Sequence, residues 1–105
     1  MINANKKIQK LINQKIVDIV HRSSISVSQE TYLVGGAVRD HLINRFRKNS
    51  DLDFVTLGCE MTLANEIKNK LNKKLKINRF KRFGTAHIIF NEINIEIVKA
   101  RKESY

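Results

Sequence analysis

The sequence lacks proline and tryptophan, and it contains one cysteine and four glycines. A single cysteine excludes an internal disulfide, and no cysteine or histidine cluster has the spacing of a structural zinc site. No apolar run exceeds four residues, far below the roughly 20 that a membrane-spanning helix needs. The N-terminus carries asparagine and lysine where a signal peptide needs an apolar segment. We therefore expect a cytoplasmic protein without a membrane partner.

Acidic residues are also scarce, since 10 Asp and Glu face 20 Lys and Arg, for a formal net charge of +10. This balance favours an acidic partner such as a nucleic acid or a nucleotide. The length of 105 residues and the 42% hydrophobic content indicate one globular domain with one core. A second catalytic module is excluded.

Hydrophobic periodicity predicts an alternation of helices and short strands. Apolar residues from Ile8 to Val20, including Leu11, recur at helical spacing. The elements predicted in chain order are a helix over 3–22, a strand over 31–34, a helix over 37–46, a strand over 51–57, a helix over 60–72, and strands over 75–80, 85–90 and 93–98. Turns are expected at residues 82–84 and 91–92. This order predicts an α+β fold, with a mixed β-sheet and helices packed on one side.

The sequence Leu-Val-Gly-Gly-Ala-Val-Arg-Asp at residues 33–40 leads from a strand through two glycines into a helix. Gly35 and Gly36 would let the backbone approach a bound group closely, and the amides at the helix start favour phosphate oxygens. Arg39 could add a bidentate contact to the same phosphates. The alternative is an ordinary tight turn with an arginine facing solvent.

Two acidic segments are candidates for metal-assisted chemistry. Asp51 and Asp53 alternate with buried positions, so both side chains project from one face of a strand and could hold divalent ions for phosphoryl transfer. Glu96 alternates with isoleucines and would complete a three-carboxylate cluster if its strand lies beside the aspartate strand. The alternative for all three is a carboxylate that faces water.

Eight basic residues and no acidic residue lie between Lys68 and Arg82. Such a run can follow a phosphate backbone, although most charge runs are solvated faces. The residues we single out for RNA contact are Lys73, Lys74, Lys76 and Arg79. We interpret four further residues as structural or surface groups: His21, His41, Cys59 and His87. Three aromatic residues are expected in the core: Phe80, Phe83 and Tyr32.

Four motifs, in this order, carry a resemblance to a known family. They are residues 33–40, Asp-Leu-Asp-Phe-Val-Thr at 51–56, Phe-Gly-Thr-Ala at 83–86, and Ile-Glu-Ile-Val-Lys-Ala-Arg-Lys-Glu-Ser-Tyr at 95–105. Together they resemble the class II CCA-adding tRNA nucleotidyltransferase and poly(A) polymerase family, within the DNA polymerase β nucleotidyltransferase superfamily. The resemblance implies a nucleotidyltransferase-like head domain over residues 1–105, ending before the neck that selects the base.

The resemblance also implies a set of roles. Asp51 and Asp53 would be catalytic ligands of two Mg²⁺ ions, and Glu96 falls where the superfamily has a third catalytic acid. Gly35, Gly36 and Arg39 would contact the triphosphate of ATP or CTP. The implied reaction is addition of CMP and AMP to the 3′ end of tRNA or another RNA, with a separate body or tail polypeptide as a further partner.

Three alternatives stay open at this point. The chain could be a poly(A) polymerase head, or a non-catalytic nucleotide- or RNA-binding module that is one piece of a split enzyme. It could also be a small stand-alone transferase of the antitoxin type, although that type usually has Gly-Ser where this chain has Gly-Gly-Ala-Val-Arg-Asp.

Overall fold

The structure is a computed structural model that describes residues 4–34 and 52–100. Two helices and five strands lie in these ranges. The helix predicted over 37–46 lies outside them. No helix in the described ranges is both long enough and apolar enough to cross a membrane.

Helix α1 (Ala4–Ser26) extends four residues beyond its predicted end. Its buried stripe contains Ile16 and Val20, with Ile12 half-buried one turn earlier. Leu11 was predicted to face inward, and this is wrong, because its side chain is 64% exposed. At 3.6 residues per turn, Leu11 lies about 140° around the helix from Ile16, and therefore on the outer side.

The five strands form one mixed sheet in the order β1-β2-β5-β4-β3. They are β1 (Thr31–Val34), β2 (Leu52–Thr56), β3 (Asn78–Phe80), β4 (Thr85–Phe90) and β5 (Ile93–Lys99). Strands β2 and β5 are parallel, and every other described pair is antiparallel. The predicted α+β fold with a mixed sheet is confirmed.

The core lies between one face of the sheet and the two helices. Helix α2 (Glu60–Leu71) buries Leu63 and Ile67, and α1 packs beside it. The strands contribute alternate residues to the same core: Leu52, Phe54, Ala86, Ile88, Ile93, Ile95 and Ile97. Both helices therefore pack on one side of the sheet, as predicted.

Turn geometry explains the close packing of the last three strands. Asn91 and Glu92 both have positive φ, and Phe90 pairs with Ile93, which makes a two-residue hairpin turn. The predicted turn at 82–84 is a short 3₁₀ helix that ends at Gly84 with a φ of 60°. Strand β3 begins at Asn78, three residues later than predicted.

The expectation that Tyr32 and Phe80 belong to the core is wrong. Their side chains are 54% and 51% exposed. Both lie on strands at the edges of the described sheet, and their register partners, Val55 and Thr85, belong to the face away from the helices. Hydrophobic character alone does not reveal which face of an edge strand is covered.

A polar cluster joins the loop before β1 to the loop after β2. The Thr56 hydroxyl donates to Gln29 Oε1 at 2.6 Å, and Gln29 Nε2 donates to the Cys59 carbonyl at 3.2 Å. A Cβ atom at Gly58 would lie only 2.3 Å from Cδ of Gln29. Any side chain at position 58 therefore requires the Gln29 side chain to move.

We expect Gly58→Ala to displace Gln29 and break its hydrogen bonds. The cost should be about 1 kcal/mol, or roughly 4 to 8 °C in Tm for a domain of about this size. Thermal unfolding measures the cost of Gly58→Ala in two backgrounds, the native chain and the Gln29→Ala variant. If Gly58→Ala costs as much in the Gln29→Ala background as in the native chain, the explanation is contradicted.

Candidate functional site

The candidate site lies on the sheet face away from α1 and α2, which we call the far face. Asp53 on β2 and Glu96 on β5 are Cα partners in the parallel pair. Adjacent strands lie about 4.8 Å apart, and side chains of paired residues project to the same side. The structure therefore brings the two carboxylates together, as the sequence could only suggest.

The alternation of each strand produces this placement. Leu52 and Phe54 flank Asp53 and are buried at 3% and 2% exposure. Ile95 and Ile97 flank Glu96 and are fully buried. Because neighbouring residues of a strand point to opposite faces, burial of these four apolar side chains directs both acids to the far face.

The row that contains these acids extends across the whole sheet. Val34 pairs with Asp53 on one side, and His87 pairs with Glu96 on the other. Asn78 pairs with His87 and ends the row. Val34 directly precedes the two glycines in the sequence, so the predicted phosphate-binding turn follows the residue that is paired with Asp53.

His87 is the neighbour of Glu96 in this row. It was interpreted as structural or surface, yet it lies beside Glu96 and is half-buried. A ring nitrogen, Nε2, lies 3.2 Å from Oδ1 of Asn94, which fixes the ring. The signal was its alternation with Ala86 and Ile88, two buried neighbours on β4.

Several predicted site residues lie outside the described residues: Gly35, Gly36, Arg39 and Asp51. Their roles remain predictions. Asp53 and Glu96 are described, and the structure shows their proximity but not their function. Asp53 also has an interaction with its surroundings within the protein.

The donor chemistry of the pair fits Mg²⁺. Carboxylate oxygens are the hard ligands that Mg²⁺ prefers, and it is usually held by one or two carboxylates together with substrate phosphates. Over residues 4–34 and 52–100 no group of three His, Cys, Asp or Glu side chains could hold a metal ion. A pair of carboxylates can bind an ion that completes its coordination with water and substrate oxygens.

The predicted RNA-contact residues divide into two groups. Lys73, Lys74 and Lys76 are exposed in the segment between α2 and β3. Arg79 is different, because its Nε lies 3.8 Å from Oε2 of Glu60, which is a buried carboxylate at the start of α2. Arg79 therefore has an internal acidic partner on the helix side of the sheet.

Cys59 lies at the surface immediately before α2, as expected for a surface residue. A hydrogen bond from the Thr62 side chain lowers the pKa of its thiol, and backbone amides of the first helical turn act in the same direction. Helix α2 packs on the side of the sheet opposite the carboxylates, so Cys59 takes no part in the candidate site.

We expect Mg²⁺ to stabilise the native chain by binding at Asp53 and Glu96. An ion at about 100 times its Kd stabilises a protein by about 2.7 kcal/mol if it binds only the folded state. Asp53→Asn and Glu96→Gln should each reduce the rise in Tm that Mg²⁺ causes. Thermal unfolding of each variant with and without Mg²⁺ measures this rise.

Glu92→Gln is the matched control, since Glu92 is an exposed acid in the turn before β5. It should leave the Mg²⁺ response unchanged. An equal response in all three variants would contradict a cation site on the far face.

Comparison with known proteins gives consistent results. Residues 31–105 match the family model described as the poly A polymerase head domain. Over 74 residues the chain is 36% identical to the A-adding tRNA nucleotidyltransferase of Aquifex aeolicus (strain VF5). The matched segment covers 70% of this chain and 8% of that protein.

Solved structures are similar in fold as well. A tRNA nucleotidyltransferase complexed with a primer tRNA and an incoming ATP analog has a TM-score of 0.69 at 31% identity, covering 82% of this chain and 24% of that one. A CCA-adding enzyme complexed with ATP has a TM-score of 0.72 at 30% identity, covering 89% of this chain and 21% of that one. The chain thus spans less than a quarter of the length of these relatives.

Proposed function

Because the chain belongs to the poly A polymerase head domain family, we propose that it is the catalytic head of an RNA nucleotidyltransferase. The proposed reaction adds CMP or AMP to the 3′ end of tRNA. The observation that carries the proposal is the in-register pairing of Asp53 with Glu96, next to the strand that leads into the two glycines.

In the proposed reaction, the 3′-hydroxyl oxygen of the RNA attacks the α-phosphorus of ATP or CTP. A new phosphorus–oxygen bond forms, the bond from the α-phosphorus to the bridging oxygen breaks, and pyrophosphate leaves. Two bound Mg²⁺ ions would lower the pKa of the attacking hydroxyl and neutralise charge on the triphosphate.

The residues of this chain would position the reactants. Asp51, Asp53 and Glu96 would supply carboxylate oxygens to the two ions. The backbone at Gly35 and Gly36, with the guanidinium of Arg39, would bind the triphosphate oxygens by the same chemistry that makes helix starts bind phosphate. A separate polypeptide that holds the body of the tRNA is part of the same proposal.

The relatives support this choice of substrate. The solved structures with similar folds include complexes with primer tRNA, with ATP and with CTP. Like charges that are directly opposite destabilise a sheet, and a bound cation would offset this repulsion between Asp53 and Glu96.

A nucleotide-addition assay tests the proposal. The chain is incubated with tRNA that lacks its terminal CCA, with Mg²⁺ and labelled CTP or ATP, and transfer of label is followed by gel. We expect Asp53→Asn to reduce transfer by at least about a hundredfold, the scale on which loss of a transition-state electrostatic contact is felt.

The control is Asp18→Asn, which makes the same chemical change at an exposed position on α1. Its transfer rate should equal that of the native chain. Unchanged transfer in Asp53→Asn would reject the assignment of the metal site. Absence of both nucleotide transfer and Mg²⁺-dependent stabilisation in the native chain would reject the catalytic proposal.

A further inference from the structure

An exposed aromatic ring lies at the basic edge of the far face. Phe80 ends β3, the edge strand, and its side chain is 51% exposed. Its Cα partner, Thr85, is only 8% exposed, so the position next to the ring on β4 is buried. Single exposed apolar side chains are common on protein surfaces, so the surroundings of this ring decide what it can bind.

The charged residues that are near Phe80 in the sequence are all basic. Lys76 and Lys81 flank it in sequence and are exposed. Between Glu66 and Glu92 the sequence has no acidic residue. The internal ion pair of Arg79 with Glu60 forms on the helix side of the sheet, so it does not neutralise the lysines. An aromatic face within a positive surface fits a polyanion that also presents flat apolar groups, which describes single-stranded nucleic acid.

Phe80 and the carboxylates lie on the same face in neighbouring rows. Phe80 belongs to the row Tyr32–Val55–Val98–Thr85–Phe80, and Asp53 and Glu96 belong to the adjacent row. Three strand spacings separate β3 from β2, which is about 14 Å. This distance corresponds to a few nucleotides, so one strand of RNA can contact Phe80 and reach the carboxylates.

We propose that Phe80, with Lys76 and Lys81, forms a stacking platform for the single-stranded end of the RNA substrate. The inference rests on the proposed function for its choice of RNA as the polymer. A partner protein that adds a strand to β3 fits less well, because β3 has only three residues and exposed lysines flank it, and both features discourage strand pairing. A base stacked on Phe80 would direct the 3′ end across the far face towards Asp53.

The absence of tryptophan from the chain makes a direct test possible. Phe80→Trp places a single tryptophan at the proposed platform, and its fluorescence should be quenched when single-stranded oligoadenylate stacks on it. Leu11→Trp is the control, since Leu11 is 64% exposed on the outer side of α1. Its fluorescence should not change.

Inorganic polyphosphate serves as a probe with charge but no bases. Quenching of the Phe80→Trp signal by oligoadenylate and not by polyphosphate supports stacking. Equal quenching by both, or quenching by an RNA duplex as strong as by the single strand, would overturn the proposal.

Affinity provides a second readout, measured by anisotropy of labelled single-stranded RNA without triphosphate. Phe80→Ala should weaken binding about 5- to 150-fold, the range for losing one base–aromatic stack. Phe80→Tyr should retain affinity, and Phe80→Leu should lose it because leucine has no aromatic face. Unchanged affinity in Phe80→Ala would overturn the platform.

Asp53→Asn separates this inference from the proposed function. It should fail in nucleotide transfer, which does not test Phe80, whereas loss of RNA binding in Phe80→Ala without triphosphate does not test Asp53. If Asp53→Asn transfers nucleotide as fast as the native chain but Phe80→Ala loses RNA binding, the platform stands and the metal-site assignment fails. If transfer depends on Asp53 but RNA binding does not depend on Phe80, the catalytic proposal stands and the platform fails.

Discussion

The parallel pairing of β2 with β5 is the constraint on which the rest of the structure depends. It joins segments that are more than 40 residues apart in sequence, and it sets Asp53 beside Glu96. The same register buries Phe54 and Ile97 on the helix side. Because side chains alternate along a strand, a slip of one residue would place acids in the core and isoleucines in solvent. The same strand register therefore determines both which residues form the core and where the two carboxylates lie.

This register divides the far face by charge. The centre of the sheet presents Asp53 and Glu96, whereas the edge at β3 presents Phe80, and exposed lysines lie in the segments that flank this strand. A cation would be attracted to the centre and a phosphate backbone to the edge. In the proposed complex, an RNA end that approaches from the β3 edge contacts the basic segments first and the carboxylates second. The carboxylates repel phosphate groups unless a bound metal ion neutralises them.

Local patterns in the sequence predicted most of the elements. The alternation of Ile93, Ile95 and Ile97 gave β5 and the direction of Glu96, and Asn91–Glu92 gave the hairpin turn. Adjacency of β5 to β2 could not be predicted, because it is a contact between distant segments that no local pattern encodes. The exposure of Phe80 was missed for a related reason: the face covered by helices is a property of the assembled sheet.

The central claim is that Asp53 and Glu96 jointly hold a divalent cation next to the nucleotide. The most direct measurement is a crystal structure of the chain with Mn²⁺ and a non-hydrolysable CTP analogue, with anomalous scattering used to locate the metal. We predict an anomalous peak within coordination distance of the Asp53 carboxylate, on the far face and beside Glu96. Manganese bound only elsewhere, with neither carboxylate in contact with a metal ion, would contradict the account.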